Sequence, residues 1–91
     1  MSIENVSAGL NCQAAFAALG KDNGECAKIA AGMLKHPRLA AIVEHACLYS
    51  YEQANGEIVG AIDWMAILKW VMANGPAILA GLLQLFAFFG I

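Results

Sequence analysis

Ninety-one residues at a formal net charge of −2 make one domain, or a small domain with an appendage. Apolar residues reach 60% and charged residues only 13%, against about 45–50% and 25% in ordinary soluble domains. The five basic residues are spread along a net acidic chain, which argues against nucleic-acid binding, where clustered Lys and Arg must neutralise phosphates.

The first twenty residues, MSIENVSAGLNCQAAFAALG, lack a basic n-region and carry Glu4, so no secretory signal is expected. Ser7 or Asn5 can cap a first helix running to about Leu19, with Ile3, Val6, Leu10, Phe16 and Leu19 as apolar positions. Gly20-Lys21-Asp22-Asn23-Gly24 supplies the residues a helix stop and tight turn require. A second helix follows, with Glu25 at its positive dipole end and Cys26, Ile29, Ala30, Met33 and Leu34 on its apolar face. Lys28, Lys35 and Arg38 can share a side around the end of this helix.

His36-Pro37 marks the next break, because the residue before proline leaves the α region and proline suits a first helical position. The third helix is expected from Arg38 to about Gln53, lined by Leu39, Ile42, Val43, Ala46 and Ser50. Asn55-Gly56 closes it, so residues 1–55 read as a three-helix, polar headpiece. Within it, His45, Tyr49 and Glu52 fall on one helical side. The spacing departs from helical metal pairs, and a solvated face with a Tyr–His contact is the simpler expectation.

The three cysteines (Cys12, Cys26 and Cys47) are odd in number and lack CxxC spacing, which points to buried thiols in a reducing compartment. A hairpin at His36-Pro37 would set Cys26, ten residues before the histidine, and Cys47, eleven after it, at similar height. A disulfide between them is geometrically open, though buried free thiols are the simpler expectation.

Residues 56–91 read as two apolar helices, from about Glu57 to Ala73 and from Pro76 to about Phe89, separated by Asn74-Gly75-Pro76. The stretch Gly56-Glu57-Ile58-Val59-Gly60 has GxxxG spacing but reads as a helix start. The whole chain is therefore expected to be all-α, with about five helices. From Trp64 to Ile91 the only charge is Lys69. Pro76–Ile91 would be about 24 Å of helix, short of a bilayer core of about 30 Å. Three geometries follow: a kinked span over Trp70–Ile91, a re-entrant hairpin, or a helix pair buried in protein.

Trp64 and Trp70 bracket Lys69 as interface anchors do, with the lysine able to snorkel. Ala73, Ala77 and Gly81 recur every four residues, the spacing that lets helix backbones approach closely in lipid, with Gln84 on the same face. Leu79, Leu82, Leu83, Phe86 and Phe89 are expected to turn towards lipid tails.

No P-loop, GxSxG elbow or HExxH helix is present in the sequence. The expected protein is a non-enzymatic structural component, without cofactor, metal or small-molecule substrate. Its partners would be a lipid bilayer and other protein subunits, in an assembly such as the virion of a membrane-containing virus. Two other classes fit the same residues: an assembly subunit with its apolar tail buried in an oligomeric interface, and a holin-like or bacteriocin-like pore former.

Overall fold

The computed structural model describes residues 12–90, and among them the protein is all-α, with five helices and no strand. The described part of α1 covers residues 12–19; the proposed caps Asn5 and Ser7, with Ile3, Val6 and Leu10, lie outside the described residues. The Gly20 N–H closes α1 on the Phe16 carbonyl at 2.8 Å.

Helix α2 spans Gly24–Lys35, and its N-cap is Asn23, whose side-chain oxygen accepts from the Glu25 and Cys26 N–H groups at 2.9 and 3.2 Å. The cap satisfies two of the N–H groups that a helix start leaves unpaired. Cys26, Ile29, Ala30 and Met33 are buried as the periodicity indicates. Leu34, by contrast, is 65% exposed, since it falls beyond the edge of the buried stripe at the open end of the helix.

The α2–α3 break is at His36. Its N–H donates to the Gly32 carbonyl, and its own carbonyl accepts from Leu39 and Ala40 to start α3, Pro37–Asn55. Pro37 has no N–H to lose at that first position. Leu39, Val43 and Cys47, four residues apart, form the buried line of α3; Ile42 is exposed.

The next helix begins later than its hydrophobicity suggests. Residues 56–63 are a loop, and α4 spans Trp64–Asn74. Gly56 and Gly60 have φ of 93° and 91°, which interrupts any helix there and makes GEIVG a connection, not a helix start. Glu52 braces the loop, its carboxylate accepting from the Ile58 N–H at 3.2 Å. Asp63 caps α4 by accepting from the Ala66 N–H at 3.1 Å. At Gly75 the chain turns by 100° into α5, Pro76–Phe88.

One buried cluster draws on all five helices: Phe16, Ile29 and Met33, Val43, Leu68 and Val71, and Leu82 and Phe86 are all part of it. Helix α5 packs against α2 and also meets α3, while α4 lies on α3. The described helices of residues 12–55 and those of residues 64–88 thus bury their apolar faces against each other. The α2–α5 crossing is close. Gly32 is buried there beneath the Phe86 ring, and a Cβ at Gly32 would come within 2.6 Å of the Phe86 Cδ2.

Candidate functional site

The tryptophans differ in surroundings. Trp64 is a core residue, 4% exposed, and its indole Nε1 has no hydrogen-bond partner among the described residues. Trp70 is half-buried and meets the edge of Tyr51 on α3, with ring centroids 5.5 Å apart and planes at 81°. Lys69 alone of the three is exposed. The reason is helical geometry: Trp64, Ile67, Leu68 and Val71 form the inward stripe of α4, and a residue adjacent to Leu68 must turn away from it.

The small residues Ala73, Ala77, Gly81 and Gln84 are all exposed. The 100° turn at Gly75 places Ala73 on a different helix axis from the other three, so the stripe is interrupted. On α5 the outward face carries Ala77, Ala80, Gly81, Gln84, Ala87 and Phe88, without a charge. Among the described residues, a Cβ built at Gly81 meets nothing within 4 Å.

The bulky residues of α5 divide differently from the lipid-facing arrangement expected of them. Leu79, Leu82 and Phe86 are buried against the other helices, Leu83 is half-buried, and only Phe89 of the five is exposed. Spacing of three and four residues gives one face whichever apolar phase contacts it, and here the headpiece takes that face.

Neither α4 nor α5 is long and apolar enough to cross a membrane alone. At 1.5 Å per residue their 11 and 13 residues reach about 16 and 20 Å, short of a bilayer core of about 30 Å. The pair has the length and composition of one span only together, and the bend at Gly75 makes it a broken span or a re-entrant shape, not a gently kinked helix.

The three cysteines are free, fully buried thiols. Burial pushes Cys47 up to about 12, with the neighbouring Cys26 adding to it. Cys12 is raised by burial, then by Cys47 and Glu44, and Cys26 is raised by burial and by Glu25. Such thiols stay protonated at neutral pH and are poor nucleophiles. The Cys26 Sγ contacts the Met72 Sδ at 3.6 Å, and the Asn23 side-chain amide meets the same sulfur at 3.7 Å, tying the start of α2 to α4.

On α3, the His45 and Tyr49 rings stack with centroids 6.3 Å apart. Glu52 is engaged by the Ile58 N–H, and burial raises the Glu44 carboxyl above its ordinary value. Among the described residues no group of three or more His, Cys, Asp or Glu side chains is placed to hold a metal ion.

A second group of residues gathers at the other end of α5. Phe89 closes a groove with Lys35, His36, Pro37, Arg38 and Ile42, and Lys28 and Lys35 border a second groove beside Leu83, Phe86 and Ala87. The sequence showed the shared side of Lys28, Lys35 and Arg38. It carried no sign that the end of α5 would lie among them, since that depends on tertiary packing. Comparisons with protein-family models, with characterised proteins and with solved structures find no match for this chain.

Proposed function

We propose that this chain is a small, non-enzymatic structural protein that attaches to a membrane surface through its C-terminal apolar region, while its N-terminal helices contribute protein contacts in a larger assembly. The observation that carries the reading is the outward face of α5. It is exposed along its length from Ala77 to Phe88 and has no charged residue. A helix whose outer side meets only water ordinarily carries charged and polar groups there. Interfacial attachment brings such a face, from its Phe88 end, against the boundary of headgroups and acyl chains, and needs no helix of spanning length.

A second reading is favoured by one observation. The exposed surface around Ala77 and Gly81 is smooth and unobstructed, which suits close approach of another helix, from a second copy or a different subunit. Liposome flotation of the full chain, with size-exclusion chromatography of the unbound fraction, separates the two. Flotation with the vesicles supports attachment to lipid. A chain that remains in the aqueous layer as a defined oligomer identifies the face as a subunit interface and overturns the membrane reading.

A further inference from the structure

We propose that the pole formed by the α2–α3 turn and the end of α5 is a docking surface for anionic phospholipid. This inference rests on the membrane reading above and assigns both the contacting surface and the lipid class.

Two kinds of side chain meet at this pole. Ile42 and Phe89 line one groove there, Phe88 packs against Phe89, and all three are large apolar residues left in solvent, Phe88 and Phe89 being 84% and 56% exposed. The two phenyl rings brace each other edge to face, with centroids 5.6 Å apart. They project from the last turn of α5, beyond the point at which Phe86 anchors that helix in the core.

The second kind is cationic. Lys28, Lys35 and Arg38 are exposed and flank the same end of α5, and they are three of the five basic residues in the chain. Among the described residues, neither groove beside α5 is lined by an acidic side chain. Among the described residues, Asp22 and Glu25 sit at the opposite end of α2, Glu25 one turn before Lys28, and Glu44 lies midway along α3. Glu52, Glu57 and Asp63 lie towards the far end of α3, where Glu57 and Asp63 line a separate groove with Tyr51 and Asn55. Among the described residues, Lys35 and Arg38 thus stand at this end with no acidic side chain lining the grooves beside them, although the chain as a whole is net −2.

Cations near the end of α5 also complement the negative end of its dipole, but that role does not require exposed phenylalanines. An anionic bilayer matches both features at once. Aromatic and aliphatic side chains enter the headgroup region, and Lys and Arg remain at the level of the phosphates. An acidic protein partner would match the charges, whereas the projecting pair of phenyl rings calls for a yielding apolar layer beneath them.

Lys69 adjoins Trp70, which packs on Tyr51 near the end of α3, whereas the pole lies at the start of that helix. Its other neighbour, Leu68, is buried, so both are committed to the core. Docking through the α2–α3 pole would leave the α4–α5 bend facing away from the contacting surface.

The test is co-sedimentation of the full chain with phosphatidylcholine vesicles and with mixed phosphatidylcholine–phosphatidylserine vesicles. Three variants are compared with the unmodified protein: Lys35→Gln with Arg38→Gln, Phe88→Ser with Phe89→Ser, and Lys69→Gln. Thermal unfolding of each checks that the fold is kept. At about fivefold in affinity per cation near an anionic surface, the double charge variant is expected to bind mixed vesicles roughly thirtyfold more weakly. The phenylalanine variant should lose at least about tenfold through the apolar area it no longer buries. Lys69→Gln should bind as the unmodified protein does.

If the unmodified protein binds vesicles but all three variants match it, the pole is not the docking surface and the membrane reading stands. If Lys69→Gln alone loses binding, the contact is on α4 and the proposal is overturned. If the unmodified protein binds neither vesicle, the proposal and the reading on which it rests both fall. Retention on a polyglutamate resin that the Lys35/Arg38 variant abolishes, without vesicle binding, would instead identify an acidic protein surface as the occupant.

Discussion

Phe86→Ala is expected to destabilise the protein by about 3–5 kcal/mol, the cost of emptying a phenyl site that cannot collapse. Phe86 is 3% exposed and sits over Gly32, where α5 crosses α2. Gly32 offers no side chain to fill the space, and the backbone of α2 is held by its own hydrogen bonds. Small domains have a total stability of roughly 0.05–0.15 kcal/mol per residue, so the loss is a large part of the whole. Thermal and urea unfolding followed by circular dichroism would measure it, with each kcal/mol expected to lower the midpoint by about 4–8 °C. A loss below about 1 kcal/mol would mean that Phe86 does not lie in the core in water, returning it to the lipid-facing side of α5.

The second expected result concerns the opposite partner of the same contact. Gly32→Ala adds a favourable helix former at a helical position, worth up to about 1 kcal/mol on propensity. It is nevertheless expected to destabilise by about 1–3 kcal/mol, the usual cost of forcing extra volume into a packed core. The new Cβ would lie 2.6 Å from the Phe86 Cδ2, so the ring or the helix must shift. Gly81→Ala provides the comparison, since its Cβ enters open space and only the propensity term remains. That variant should be stabilised by about 0.5–1 kcal/mol. Combining Gly32→Ala with Phe86→Leu should cost less than the sum of the two changes, because the smaller side chain clears the added methyl. Stabilisation by both alanines would contradict the close crossing of α2 and α5.

The helix boundaries were largely legible because glycine, proline and Asx residues act locally. Gly20 stops α1, His36-Pro37 separates α2 from α3, and Gly75-Pro76 separates α4 from α5, each through backbone chemistry that neighbouring residues cannot override. The loop at 56–63 is hard to read from sequence because Ile58, Val59 and Ile62 give it apolar character, while the signals against a helix are two glycines and the capping Asp63. Those three residues are the available clue.

The candidate site was less legible, since hydrophobic periodicity locates an apolar face without naming what covers it. For α5 the same spacing of Leu79, Leu82 and Phe86 is compatible with lipid or with a headpiece, and the structure places α2 and α3 against it. In sequence Trp64 and Trp70 flank Lys69, the pattern of an interfacial pair. Their six-residue separation turns them to different surroundings, one in the core and one on Tyr51. The basic and aromatic pole could not be seen from any one segment. It joins the end of α2 and the start of α3 to the end of α5, some fifty residues further along the chain.

The most direct test of this account is hydrogen exchange on the full protein, compared free in solution and bound to phosphatidylcholine–phosphatidylserine vesicles. Docking through the pole should slow exchange at residues 34–42 and 86–89, while the 56–63 loop and the bend at Gly75 exchange as in solution. Slowed exchange at the bend with no change at the pole, or loss of protection along α5 on binding, would contradict it.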